Sequence, residues 1–405
     1  MKILLTLFEI QDYGGIVADV EYLAKGLMEN GHEVNLVLLR PNQSSPSIRK
    51  MTGPRGSYPS IFGGEVNTLA GWYGVTVMGY AGEQNILSWK KLANQYDLVI
   101  HEIPNPKDDD GGWWQQIYDI DPPQIIAAHD AHFRDMYPYI ADVAERITAI
   151  TCTNHAGYVA LEWCPIPRAF IGAAHELENW DRKMKWGQRV ARAVCAHVWK
   201  AWKHNDIVVR AIPHLQHSGI LMAGDGIEGR YMRSKDKCKP KYKGIWEAAF
   251  SEQTGNGRGA YLGLLTGNQL YQLYTESRVM VDMSYSKKFA ALGNHFNRSI
   301  LEAANNGCIS ICTIENMREN NPQVELFQDG ITHVGVHQGI DPKDLAAVVD
   351  WACNLREEDA MPMVEAARKV LSDHFDYRKT CLQYLELAKG NPAGIYPLLE
   401  TGKLP

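Results

Sequence analysis

The sequence predicts an α/β protein built from two doubly wound, Rossmann-like domains. Three observations carry that expectation. Short apolar runs alternate with amphipathic stretches from the first residue, the pattern of a parallel sheet covered by helices on both faces. The alternation loosens once, through Pro165, Pro167 and the charged stretch Glu176 to Lys185, and then begins again. A chain of 405 residues with 45% hydrophobic and 22% charged content is long enough to bury two cores. The boundaries expected are an N-terminal Rossmann-like domain over 1–180, a C-terminal Rossmann-like domain over 181–375, and a C-terminal helix over 376–405 packing back toward the first domain.

The opening unit is the clearest. Lys2 to Phe8 reads as a strand, Gln11 to Gly15 as a tight loop, Val17 to Met28 as a helix capped by Asn30-Gly31-His32, and Val34 to Leu39 as the next strand. Further strands are expected at Leu98 to His101, Gln124 to Ala128 and Ile147 to Cys152. The second series comprises Val190 to Val198, Gly219 to Ala223, Ala260 to Leu264, Val279 to Met283, Cys308 to Thr313 and His333 to Val336. Met363 to Lys389 reads as helix. The irregular stretches Pro41 to Gly71 and Pro104 to Trp114 are long enough to be functional loops.

Composition excludes several classes. A formal net charge of -6 argues against coating nucleic acid by bulk attraction and leaves only a local basic face for such contact. The 8 cysteines are scattered, and Cys308 and Cys312 have no second pair to complete a zinc site, so reduced thiols in a cytoplasm are expected. The first apolar run is too short for a signal h-region, and no window approaches the roughly 18 apolar residues that span a bilayer. No membrane association is expected, and a monomer is.

Four segments carry chemistry. Tyr13-Gly14-Gly15-Ile16 lies between a strand and a helix, where backbone N–H groups can approach an anion; the same pair would also serve a plain strand-to-helix turn. It is neither the Gly-x-Gly-x-x-Gly fingerprint nor a P-loop. The run from Arg192 to His204 ends in a cationic loop, with Lys200 and Lys203, able to neutralise a leaving diphosphate or simply to be solvated. In the stretch Gly293 to Cys308, Arg298 and Ser299 mark a helix N-terminus suited to phosphate, and Glu302 suits ribose hydroxyls unless it merely faces solvent. His129-Asp130-Ala131-His132 ends an expected strand, at the carboxyl edge where ligands of open α/β sheets bind.

In this order these pieces resemble the retaining GT-B glycosyltransferases of glycogen-synthase-like layout, whose two Rossmann-like domains face a cleft. Within them the likeness is greatest to the DNA α-glucosyltransferases of T-even phages. The similar elements are His129-Asp130-Ala131-His132, Trp202-Lys203, Met283-Ser284 to Lys287, and Leu301-Glu302 followed by Ala303 and Gly307. The sequence departs where the family has a Glu eight residues before Glu302, a place held here by Asn294, and where His197 replaces the usual Arg. The resemblance implies that 1–180 is the acceptor domain and 181–375 the nucleotide-sugar domain of a hexosyl- or pentosyltransferase. That enzyme would retain anomeric configuration without an obligatory metal or other cofactor. Its co-substrate would be a nucleotide sugar, expected to be UDP-linked. Phosphates would be held by Gly14, Gly15, Lys200 and Lys203, the donor further contacted by His197, Asn294, Arg298 and Ser299, and ribose by Glu302. The reacting sugar would lie near the catalytic pair His129 and Asp130.

For the acceptor, Arg230 to Lys243 holds seven basic residues, including Arg230, Arg233, Lys235 and Lys237, against the single acid Asp236. Such a stretch attracts a phosphate backbone, although charge runs also occur on solvated faces. Arg182 to Lys203 adds seven basic residues and no acid. An enzyme acting on a base must extrude it from the duplex, and Trp113 and Trp114 could fill the gap. By this reading the partner is double-stranded DNA carrying modified bases, with glucose or a pentose such as arabinose moved to a hydroxymethylated pyrimidine. The alternatives are a related enzyme acting on a polysaccharide or lipid-linked acceptor, and a non-catalytic nucleotide-sugar binding protein.

Overall fold

The computed structural model describes residues 1–7, 15–38, 76–79, 86–102, 117–128, 137–138, 141–153, 155–177, 184–197, 203–224, 248–250, 256–263, 265, 267–285, 297–320, 326–391 and 393–394. The chain divides into two compact units. The first comprises Met1–Glu176, Ala291–Gly293 and Asp373–Pro405, the second Leu177–Ala290 and Asn294–Ser372.

The first unit is built on strands β1 (Lys2–Leu7), β2 (Glu33–Leu38), β3 (Thr76–Gly79), β4 (Leu98–Glu102), β5 (Gln124–Ala128), β6 (Ile147–Cys152) and β7 (Arg168–Phe170). They form one parallel sheet in the order β3-β2-β1-β4-β5-β6-β7. Every residue of β4 and β5 is buried, as expected of strands covered on both faces. The helix Gly15–Glu29 starts two residues before the expected Val17, so Gly15 is its first residue. Its end is the expected one: Gly31 takes φ 81°, and the amides of Gly31 and His32 return to the carbonyls of Met28 and Leu27.

The second unit repeats the plan with β8 (Val190–Ala196), β9 (Gly219–Ala223), β10 (Gly259–Gly263), β11 (Ser277–Asp282), β12 (Ile309–Thr313) and β13 (Val334–Val336). These are parallel in the order β10-β9-β8-β11-β12-β13. Both sheets reverse direction of winding beside their first strand, between β1 and β4 and between β8 and β11. That switch point is where open α/β sheets bind ligands, at the carboxyl ends of the strands.

Two short strands, β3 and β7, were not expected from the sequence, and Met363 to Lys389 is not one helix. It is covered by Glu357–His374, which runs through Pro362, and Tyr377–Ala388, which restarts at Asp376, whose carboxylate accepts from the Arg378 amide as N-cap. The second helix belongs to the first unit and packs on Gly15–Glu29, sharing a core with Ile3, Leu5, Leu23 and Leu27 through Tyr377, Cys381 and Tyr384. Close approach is possible because Gly26 has no Cβ, which would meet Cys381 Sγ and the Tyr377 carbonyl at 2.9 Å.

Candidate functional site

At the carboxyl edge of the second sheet, β8 and β11 are neighbours, so the residue following Ala196 and the residue ending β11 are brought together. They are His197 and Asp282, whose side chains are 3% and 0% exposed. His197 Nε2 lies 3.5 Å from Asp282 Oδ1, and His197 Nδ1 lies 3.2 Å from the Ser299 hydroxyl. A hydroxyl that donates to Nδ1 leaves the proton on Nε2, facing the carboxylate. Burial, only partly offset by Asp282, holds the imidazole pKa down to about 4, so the ring is neutral near pH 7.

Asp282 is held from two further directions. Its carboxylate accepts from the Ser284 amide at 2.8 Å and from the Asn297 side-chain amide, and the Asn297 oxygen accepts from the Lys203 ammonium. Burial acts to raise the Asp282 pKa. The neighbouring His197 when its ring carries a proton, the Lys203 charge and the Ser284 hydrogen bonds outweigh it, and the pKa lies below the ordinary value. Thr313, at the end of β12, donates to the Ser284 carbonyl at 2.9 Å and so joins a third strand end to this network.

The helix Arg298–Asn305 begins beside these groups, with Ser299 in its first turn. It ends as a chain does when glycine supplies a left-handed residue: Gly307 has φ 81°, and the Gly307 and Cys308 amides bond the carbonyls of Ala304 and Ala303. Arg298 donates to Glu302 at 3.2 Å, one turn along. Burial raises the Glu302 pKa despite that guanidinium. A carboxylate, an arginine and a helix N-terminus thus share one end of the sheet with Lys203, an arrangement able to take a polyol and an anion together.

Lys203 is followed by His204, which has φ 48° and ψ 33° and precedes the helix Asn205–Ala211. Its Nε2 lies 2.9 Å from the Tyr285 carbonyl oxygen and 2.7 Å from the Gln338 amide nitrogen. Gly224, after β9, has φ +116° and lies against the His197 backbone; a Cβ there would come within 1.9 Å of the His197 carbonyl oxygen. Its own carbonyl accepts from the Tyr261 hydroxyl at 2.6 Å.

Of the residues singled out in the sequence, the structure brings together His197, Lys203, Arg298, Ser299 and Glu302, and makes Gly15 the first residue of its helix. Gly14, His129, Asp130, Lys200, Asn294, Arg230, Arg233, Lys235, Lys237, Trp113 and Trp114 lie outside the described residues. Asp282 and Asn297 were missed. An acid ending a buried strand was the available signal for Asp282.

Part of the basic run is not a surface. Arg189 is buried, and its guanidinium donates to the carbonyls of Met184, Tyr274, Ser277 and Asn306. Arg192 pairs with Glu276 at 2.9 Å. Among the described residues no group of three His, Cys, Asp or Glu is arranged for a metal ion, no helix is long and apolar enough to cross a membrane, and the cysteines are free thiols.

No family model matches the chain, and no curated protein does. Solved structures do. HepE of Anabaena, crystallised with UDP, is 14% identical with a TM-score of 0.66, covering 96% of this chain and 100% of that one. The T4 alpha-glucosyltransferase, in complex with UDP and a 13-mer DNA containing an HMU base, is 13% identical with a TM-score of 0.66 over 96% and 99% of the two chains. A mutant of TarM of S. aureus, in complex with Fondaparinux, alpha-GlcNAc-glycerol and UDP, is 11% identical with a TM-score of 0.66 over the same shares. The fold is that of the GT-B glycosyltransferases, two Rossmann-like domains.

Proposed function

We propose that this chain is a glycosyltransferase that moves glucose or a pentose from a UDP-sugar, with retention of configuration, to a hydroxymethylated pyrimidine in double-stranded DNA. The observation that carries the donor half is the group of His197, Lys203, Asp282, Ser299 and Glu302 at the switch point of the second sheet, in a fold whose solved examples include complexes with UDP. In this reading Lys203, Lys200, Arg298 and the amides opening the Arg298–Asn305 helix take the diphosphate. Glu302 takes the ribose hydroxyls, with its carboxylate already oriented by Arg298. His197, neutral and hydrogen-bonded to Ser299, and Asn294 complete the donor contacts. His129 and Asp130 follow β5 and act on the sugar and the incoming hydroxyl.

For the acceptor, the reading is supported by the basic stretch from Arg230 to Lys243, by Trp113 and Trp114 as candidates to fill the space of an extruded base, and by the DNA named with the alpha-glucosyltransferase. A second reading, a saccharide acceptor in the same fold, is supported by TarM, solved in complex with Fondaparinux and alpha-GlcNAc-glycerol.

Incubation with a panel of nucleotide sugars and either hydroxymethylated or plain DNA, read by nucleoside mass analysis, separates these readings. A sugar-sized mass gain on the modified base alone supports the DNA acceptor. UDP release without DNA modification, stimulated by an oligosaccharide, supports the second reading, and absence of any donor turnover leaves a binding protein.

A further inference from the structure

His204 is the one non-glycine residue with positive φ among the described residues. An imidazole-bearing residue in the left-handed region costs free energy, and such strain persists only where surrounding contacts impose it. Here the contacts are visible. The ring nitrogen Nε2 sits between Tyr285, three residues past the end of β11, and Gln338, two residues past the end of β13. Protonated at Nε2, the ring donates to the Tyr285 carbonyl; bare, it accepts from the Gln338 amide. Gln338 is itself fixed by its backbone amide, which donates to Glu315 Oε2 at 3.0 Å, and the other oxygen of Glu315 lies 3.1 Å from His337 Nδ1. One imidazole nitrogen therefore ties the loop after β8 to the loop after β11 in one tautomer and to the loop after β13 in the other.

The residue before it is Lys203, which is buried and whose ammonium meets Asn297 and, through Asn297, Asp282. Rotating the His204 backbone into the right-handed region would swing the peptide that joins it to Lys203, and with it the direction of the Lys203 side chain. We propose that His204 is a positioning residue: its ring holds a strained backbone turn that aims Lys203 at the donor diphosphate. This rests on the donor-site reading above.

The test is a double-mutant cycle on UDP binding, by calorimetry, with thermal midpoints measured in parallel. His204→Ala keeps the strain and removes the pin, His204→Gly removes both, and His204→Gln restores an N–H at about the reach of Nε2. In the Lys203 background, His204→Ala and His204→Gly weaken UDP binding about tenfold, and His204→Gln stays within about threefold of the parent, the range of coupling seen for contacting residues. In a Lys203→Ala background the same His204 substitutions change affinity by less than about twofold, since a residue acting through Lys203 has nothing left to aim. Equal losses in both backgrounds, or parental affinity in His204→Ala, overturn the inference while leaving the donor site standing. A parent protein that does not bind UDP removes both. His204→Gly, relieved of backbone strain, separates loss of aim from loss of fold by its thermal midpoint.

Discussion

Replacing Asp282 by Asn tests whether the network at the second switch point is held together by a buried charge. The side chain is fully buried, with one oxygen 2.8 Å from the Ser284 amide and the other taking the Asn297 amide. An asparagine keeps the shape but must present its NH2 to one of these two donors, so one hydrogen bond becomes a donor–donor contact. It also removes the negative charge that Lys203 reaches through Asn297. Leaving a buried donor unsatisfied costs about 1–3 kcal/mol, and more where a charge is involved. Because a chain of two units need not unfold in one step, the assay is hydrogen exchange resolved to the peptide covering 277–285 through a denaturant series. The sign of the pH dependence is a second check. The folded-state pKa of Asp282 is lowered, so its contribution is present in full above the ordinary aspartate value of about 3.9 and is lost as pH falls through that value and below. The variant lacks this part of the acid dependence. A loss of less than about 1 kcal/mol at pH 7, with an unchanged acid limb, would refute the charge-network account.

Gly224→Ala drives a Cβ into the His197 carbonyl at 1.9 Å and strains a φ of +116°, so we expect a loss of at least about 1–3 kcal/mol in stability together with weakened UDP binding, checked by thermal melts and calorimetry. Burial holds His101, His197 and His333 near a pKa of about 4, below the roughly 6.5 of an unfolded chain. Their neutral rings therefore contribute stability in full above about pH 6.5 that is lost as pH falls toward 4, and a thermal midpoint that stays level across that window would contradict the burial of these rings. His129→Ala should lower single-turnover transfer by about 10²–10⁴ while leaving UDP affinity near the parent value, and unchanged transfer by folded variant removes this residue from the mechanism. If Lys203 and the helix N-terminus neutralise the leaving diphosphate, turnover continues in chelator; activity abolished by chelator and restored by manganese would refute that account.

The legibility of the fold follows the energetics of its strands. β4 and β5 are buried throughout, and the apolar runs Leu98-Val99-Ile100 in β4 and Ile125 to Ala128 in β5 made both readable. β3 and β7 have four and three residues and lie at the two edges of their sheet, where neither length nor a continuous run marks them; β7 also follows Pro165 and Pro167. The helix starting at Glu357 was expected only from Met363, and the structure begins it six residues earlier and runs it through Pro362. Its break before Tyr377 has no glycine or proline. The signal present was Asp376, an N-cap residue ahead of Tyr377 and Arg378.

The candidate site was legible where residue type and local position agree, and not where two distant strand ends meet. His197, Lys203, Ser299 and Glu302 sit at a strand end or near a helix start, positions that sequence periodicity finds. Asp282 reads locally as the polar end of one more buried strand, and nothing in the intervening sequence ties it to His197. What ties them is strand order. In a sheet ordered β10-β9-β8-β11-β12-β13 the first and fourth strands of the unit are neighbours with a crossover on each side, so whatever follows the first must face whatever ends the fourth. The same rule applied to the first unit sets the chain leaving β1 beside the end of β4, where Glu102 is buried at 2% exposure. A carboxylate placed there by topology, next to the strand that leads to His129 and Asp130, occupies in the first unit the position that Asp282 occupies in the second.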